Sequence, residues 1–247
     1  MTALDTLKER VAALPRPLLL GLDVDGTLAP IVDDPDRARV PDATQTVLRE
    51  LARHADYRVA LITGRDLPAL ERMAQVPGAW RAVEHGGWIV APGDEGAERP
   101  LDPADREKLE AFAAWAADGP GQVERKARSV GLHVRKLDAG EGEARLAAAE
   151  ERAEALGLIA RRGRAVLEAE LESGDKGRAL AELQERIGAA SVFFAGDDLT
   201  DLPAIRYAAE RGVGVFIASD ERPEGPEGAT LALDGPEDLA SFLASLR

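Results

Sequence analysis

The stretch that most constrains this chain is "LLLGLDVDGTLAP", residues 18–30. Five apolar or glycine residues in a row, with no polar alternation, describe a strand buried on both faces. Such a strand belongs in a parallel sheet covered by helices above and below. It ends on Asp23 and Asp25, two carboxylates at i and i+2, which repel each other unless a cation lies between or near them. An oxygen-seeking divalent ion relieves that repulsion, and the pair "GDD" at Asp197 and Asp198 offers further ligands from a second strand end.

Strands and helices alternate on both sides of this run. Residues 4–14 have amphipathic helical spacing and stop at Pro15 and Pro17. Residues 42–55 repeat the pattern through Val47, Leu48 and Leu51. "YRVALIT" is a second buried strand closed by Gly64, "DLPALERMAQ" a helix, and "WRAVEHGG" and "WIVAP" further strands. Alternation resumes with helix "KGRALAELQERIG", strand "SVFFAGDD", helix "DLPAIRYAAERG" and strand "VGVFIA". The short strand "ATLAL" and a last helix over 236–246 follow. The fold class is therefore α/β, a parallel sheet flanked by helices. Three buried strands end in polar signals, at Asp23, Thr63 and Asp197–Asp198. Ligands of open α/β sheets bind at the carboxyl ends of strands, so these ends are expected to converge on one site.

Residues 97–172 differ in character. Two long amphipathic helices, "DPADREKLEAFAAWAAD" and "EARLAAAEERAEALG", alternate with the strand-like segments "GQVERKARSVGLHVRK" and "LIARRGRAVLEAEL". They form a small α+β insert, with hinge-like borders at "APGDEGAERP" and "ESGD". The expected division is a core of residues 1–96 and 173–247, with a cap of residues 97–172 inserted in it.

Composition narrows the function classes. The net charge of −14 disfavours nonspecific binding to nucleic acid or to an anionic membrane surface. Cysteine is absent, which removes disulfides and thiolate metal sites. No apolar run approaches membrane-spanning length, and "MTALDTLKER" lacks the pattern of a secretory signal, so a cytoplasmic location is the default. The expected partner is a small-molecule substrate, with no nucleic acid and no membrane, and the chain is expected to be a monomer.

The ordered motifs carry a resemblance. "DVDGTL", "LITGR" with Thr63, "DKG" with Lys176 and "AGDDLTD" over residues 195–201 resemble the four signatures of the haloacid dehalogenase superfamily, whose members are mostly phosphatases. The resemblance implies a Rossmannoid sheet with a small cap of the C2 type. It also implies that Asp23 attacks phosphorus to give an aspartyl phosphate, and that Asp25 protonates the departing alkoxide and later takes a proton from water. Mg²⁺ would be held by Asp23, Asp25 through its backbone carbonyl, and Asp197. Asp198 is counted with these ligands or, like Asp201, just behind them. Thr63 and Lys176 would donate to the phosphoryl oxygens. Gly64 and Arg65 belong to the same substrate-binding signature as Thr63. Lysine at a helix start opposes the macrodipole, which itself favours an anionic partner for Lys176.

Over nearly its whole length the chain resembles trehalose-6-phosphate phosphatases. The carrying stretches are "EHGG", "VERKARSVGLHVR" and "VLEAELESGDKG". By that resemblance the sugar hydroxyls would be contacted by Glu124, Lys126, His133 and Arg135 of the cap, by Glu168, eight residues before the motif lysine, and by Arg164. Glu124 and Lys126 share a strand face, as the period of two requires. His85 is expected to line the cleft or shape a turn, and His54 lies at the surface. Two positions depart from the family pattern: Leu202, followed by Pro203, stands after "GDDLTD" where an acidic residue is usual, and Val134 replaces the usual aromatic between His133 and Arg135.

The expected activity is Mg²⁺-dependent hydrolysis of trehalose 6-phosphate. The nearest alternative is another sugar phosphate, of the sucrose phosphate or mannosylglycerate phosphate type. A receiver-like module whose Asp23 only accepts phosphate is a further alternative, against which stand Asp25 and the cap. A non-catalytic sugar-phosphate binder would not need the full catalytic set.

Overall fold

The computed structural model describes residues 2–32, 34–94, 101–163, 165–171, 174–219 and 225–247. In chain order the first half forms α1 (Ala3–Ala12), β1 (Leu18–Leu22), α2 (Asp42–Arg53), β2 (Tyr57–Ile62), α3 (Leu67–Met73), β3 (Trp80–Val83) and β4 (Trp88–Val90). Next come α4 (Pro103–Ala117), β5 (Gln122–Arg125), β6 (Ser129–His133), α5 (Ala139–Ala155), β7 (Ile159–Gly163) and β8 (Val166–Glu170). The chain closes with α6 (Lys176–Ile187), β9 (Ser191–Gly196), α7 (Leu202–Arg211), β10 (Gly212–Ile217), β11 (Leu231–Leu233) and α8 (Pro236–Ala244). Two compact units result: Met1–Ala97 with Gly174–Arg247, and Glu98–Ser173.

The larger unit is built on β1. All five residues of this strand are buried, and alternate side chains serve opposite faces. Leu18, Leu20 and Leu22 pack with Leu7, Leu48, Leu51 and Phe242 from α1, α2 and α8. Leu19 joins Leu180, Leu183 and Ile205 from α6 and α7 on the other face. Burial of each leucine contributes about 2 kcal/mol. Gly21 shows why no larger residue fits the second face: a Cβ there would lie 2.7 Å from Leu180 Cδ1. That close seat brings α6, and Lys176 at its first position, down onto the end of β1.

Strand order is β11-β10-β9-β1-β2-β3-β4, and every neighbouring pair is parallel except β3–β4. The link from β3 to β4 is too short for a helical crossover, so β4 folds back antiparallel at the sheet edge. Leu22 pairs with Leu61 on one side and Ala195 on the other, so β2, β1 and β9 end side by side. The chain runs outward from β1 to β4 and then returns to the opposite flank with β9. The carboxyl ends at that reversal form the crevice where such sheets bind ligands.

The smaller unit is an antiparallel sheet in the order β5-β6-β8-β7. Val130, Leu132, Leu167 and Ala169 pack against Leu109 and Phe112 of α4 and Leu146 and Ala149 of α5. Register aligns Glu124, Gly131, Glu168 and Arg161 in one row across the sheet. Helix α5 starts four residues before "EARLAAAEERAEALG": Asp138 caps it by accepting from Glu141 N, which offsets the poor helix propensity of Gly140 and Gly142. Among the described residues no helix is long and apolar enough to cross a membrane.

Candidate active site

An open cleft of about 460 Å³ lies at the carboxyl ends of the core strands, bordered by Asp23, Asp25, Thr63, Arg65, Lys176 and Asp197 among others. Asp23 follows β1 directly, and its backbone N–H donates to Ala195 O at 2.9 Å, extending the ladder to β9. Its carboxylate is buried, and Oδ1 accepts from Lys176 Nζ at 2.6 Å. The same ammonium donates to Asp201 Oδ1 at 2.7 Å. Asp175 caps α6 by accepting from Arg178 N, which starts the helix at Lys176 and aims the lysine at two carboxylates.

One oxygen from each of Asp23, Asp197 and Asp201 lies within 4.8 Å of the others. Burial is the first cause that pushes all three acids up, Asp23 and Asp197 to about 6 and Asp201 to about 7. Mutual repulsion adds to it, and Lys176 opposes it. Burial also disfavours the ammonium of Lys176, but the charges of Asp23 and Asp201 outweigh that penalty and hold it above an ordinary lysine. One ammonium among two buried carboxylates and the half-buried Asp197 leaves negative charge uncompensated. A donor set made only of carboxylate oxygen therefore fits a hard divalent cation.

Asp25 is held differently. Arg65 grips it as a fork, Nε to Oδ2 at 2.8 Å and Nη2 to Oδ1 at 2.7 Å, which fixes the plane of the carboxylate. Thr63 follows β2, is buried, and accepts from Arg65 N at 3.2 Å, closing a tight loop through Gly64. Asp198 accepts from Thr200 Oγ1 at 3.2 Å, and its backbone N–H donates to Asp201 Oδ2 at 3.0 Å. The short helical turn at Leu199–Asp201 thus folds Asp201 back into the buried cluster, while Asp198 is half-buried at its rim. His85 borders the cleft.

Thr27 is a site residue that sequence reasoning missed. It is fully buried, and its hydroxyl lies 3.4 Å from Asp23 Oδ2 and 3.2 Å from Asp197 Oδ1, bridging two strand ends. The threonine of "DGT" is the signal that could have found it. Gly26 has φ of 76°, and a Cβ there would lie 2.1 Å from Asp197 Oδ2, so only glycine lets the turn pass beneath that carboxylate.

The cap candidates lie on the smaller unit. Lys126 Nζ donates to Glu168 Oε1 at 2.7 Å, and His133 Nε2 is 2.9 Å from Glu124 Oε2. Ser129, a buried residue that sequence reasoning also missed, donates to the same Glu168 oxygen at 2.6 Å. Arg161 binds Glu170 with two nitrogens, at 3.0 and 3.3 Å. Arg135 lies just past β6, beside a hollow at the start of α5. Arg164 falls outside the described residues.

The chain is similar to known proteins over most of its length. A trehalose-phosphate phosphatase of Mycobacterium marinum is 32% identical over 247 residues, covering 94% of this chain and 62% of that protein. An uncharacterised glycosyl hydrolase of Mycobacterium tuberculosis is 34% identical over 238 residues, 91% of this chain and 18% of that protein. The chain thus spans less than two thirds of either relative. Trehalose-6-phosphate phosphatase of Aspergillus fumigatus, crystal form 3, superposes with a TM-score of 0.73 at 26% identity, covering 98% of this chain and 96% of that one. The fold is that of haloacid dehalogenase-like hydrolases. Residues 21–237 match the family described as trehalose-phosphatase, and the chain belongs to that family.

Proposed function

We propose that this chain hydrolyses trehalose 6-phosphate to trehalose and phosphate, with Asp23 as the nucleophile. The observation that carries the reading is the placement of Asp23: buried, anchored by Lys176 at 2.6 Å, and next to the forked Asp25–Arg65 pair. Mg²⁺ is the proposed cation, held by Asp23 and Asp197 with the Asp25 carbonyl, and with Asp201 and Asp198 beside it. When bound, it supplies positive charge that neutralises the carboxylates and the phosphoryl oxygens.

The chain's own groups divide the remaining work. An Asp23 oxygen forms a bond to phosphorus as the bond to the sugar oxygen breaks, giving an aspartyl phosphate. Lys176 and Thr63, with the backbone of Gly64, donate to the phosphoryl oxygens where charge is greatest. Asp25, with one oxygen released from the Arg65 fork and protonated, gives that proton to the departing alkoxide. It then takes a proton from the water that attacks phosphorus, and Asp23 is released as carboxylate. Glu124, Lys126, His133 and Glu168, with Arg135 and Arg164, select the sugar, since a disaccharide presents many hydroxyls and little apolar surface.

The test is phosphate release from trehalose 6-phosphate, sucrose 6-phosphate, mannosylglycerate phosphate and p-nitrophenyl phosphate, each with Mg²⁺ and with EDTA. The reading predicts a marked preference for trehalose 6-phosphate that EDTA removes. Preference for another sugar phosphate would keep the chemistry and replace the substrate. Phosphate taken up without turnover would favour a module that only accepts it.

A further inference from the structure

The turn after β3 has a constrained backbone. Glu84 and His85 take positive φ, 55° and 56°, and Gly86 follows at 89°. Residues with a Cβ rarely enter this region and persist there only where the surroundings impose it. Here they do so from two sides. Glu84 N donates to Arg65 O at 2.8 Å and His85 N to Thr63 O at 2.9 Å, which ties the turn to the loop after β2. On the other side it abuts the approach to α6. A Cβ on Gly174 would lie 2.3 Å from Glu84 O, and one on Gly86 would lie 2.5 Å from Ala179 Cβ. The turn is clamped between the loop carrying Thr63 and the helix carrying Lys176.

The imidazole uses that clamp. It occupies the volume a side chain at Gly64 would need: a Cβ there would lie 2.4 Å from His85 Cε1 and 2.6 Å from Nε2. The ring therefore rests on the backbone between Thr63 and Arg65, the two residues that meet the phosphoryl group and the Asp25 carboxylate.

We propose that His85 is a positioning residue for the phosphoryl site, its ring fixing the Thr63–Arg65 loop from the space above Gly64. This inference rests on the reading of the cleft as a phosphoryl site. It assigns the strained turn a purpose: the left-handed backbone at Glu84 and His85 holds the ring against the loop after β2. Because the loop serves the phosphoryl group and not the sugar, His85 acts on every phosphate ester equally.

Asparagine tolerates positive φ better than other residues that carry a Cβ, so His85→Asn removes the ring and keeps the turn. The variant is expected to raise the inhibition constant of inorganic phosphate about tenfold or more, because displacement of a binding group by about 1 Å has effects up to a hundredfold. Its kcat/KM is expected to fall by the same factor on trehalose 6-phosphate and on p-nitrophenyl phosphate, while its thermal midpoint stays near that of the parent. A second comparison uses steric exchange: Gly64→Ala alone clashes with the ring, whereas Gly64→Ala with His85→Ala leaves room for the new methyl. The double variant is expected to bind phosphate more tightly than Gly64→Ala. Unchanged phosphate inhibition in His85→Asn, a loss confined to the sugar ester, or additive losses in the double variant would each overturn the proposal. If the parent hydrolyses p-nitrophenyl phosphate but not trehalose 6-phosphate, the substrate reading fails while the phosphate measurements still decide the role of His85.

Discussion

Lys176 and Asp23 lie 153 residues apart in sequence, yet their side chains meet at 2.6 Å in a buried contact, with Asp201 at 2.7 Å on the same ammonium. The lysine opens a helix that Gly21 allows to sit close over β1, and the aspartate ends that strand. Removing one partner of a buried pair leaves an uncompensated charge, at a cost of about 3–5 kcal/mol. Lys176→Met is therefore expected to lower stability at pH 8 by about 3 kcal/mol in urea denaturation. It is also expected to lower kcat by about a hundredfold or more, because a donor to the developing charge is lost.

The acid cluster sets a pH dependence. Asp23 and Asp197 are pushed up to about 6 and Asp201 to about 7, from 3.8 for an unperturbed aspartate. An acid raised in the folded state binds protons more readily folded than unfolded. Its stabilising contribution is full below about pH 4 and is lost as pH climbs towards 7. Cation binding has to displace those protons. The rise in thermal midpoint given by Mg²⁺ over EDTA is accordingly expected to grow between about pH 5 and pH 8. A midpoint shift that is flat or shrinks over that range would mean that these carboxylates do not hold the cation.

Gly26 tests the cation site by shape alone. With φ at 76°, a Cβ on this residue would come within 2.1 Å of Asp197 Oδ2, which leaves no room for alanine. Gly26→Ala is expected to weaken the Mg²⁺ dependence of activity by about tenfold or more, as displaced ligands do. It is also expected to cost about 1 kcal/mol for the backbone conformation. Activity titrated against Mg²⁺ separates the two effects.

Glu168 receives two donors on one oxygen, Lys126 at 2.7 Å and Ser129 at 2.6 Å, which fixes its orientation. If this carboxylate accepts from sugar hydroxyls, Glu168→Gln and Ser129→Ala should raise KM for trehalose 6-phosphate, by about tenfold for the first and a few-fold for the second. Turnover of p-nitrophenyl phosphate should stay near the parent value. Equal losses on both esters would make the row structural.

The parts of this architecture that sequence made legible are those written in local pattern. The continuous apolar run at Leu18–Leu22 could only be a doubly covered strand, and the polar residues that end β1, β2 and β9 do lie side by side. Features that depend on distant contacts were not legible. The left-handed backbone of Glu84 and His85 is imposed by Thr63, Arg65 and Gly174, and the three letters "EHG" carry no sign of it. The Asp25–Arg65 fork joins two loops 40 residues apart. Asp201 was legible as a residue of the site through "GDDLTD", but not the short helical turn that folds it into the buried cluster. Asp138 caps α5 in the structure, and the low helix propensity of Gly140 and Gly142 hid the turn that it starts.

The central claim is that Asp23 carries the phosphoryl group during hydrolysis of trehalose 6-phosphate. Acid quenching during turnover of that substrate, followed by peptide mass spectrometry, tests it most directly. The account predicts a phosphate adduct on the peptide containing Asp23, stable in acid, released by hydroxylamine, and absent from Asp23→Asn along with turnover. Turnover that persists in Asp23→Asn, or an adduct on any other residue, would contradict it.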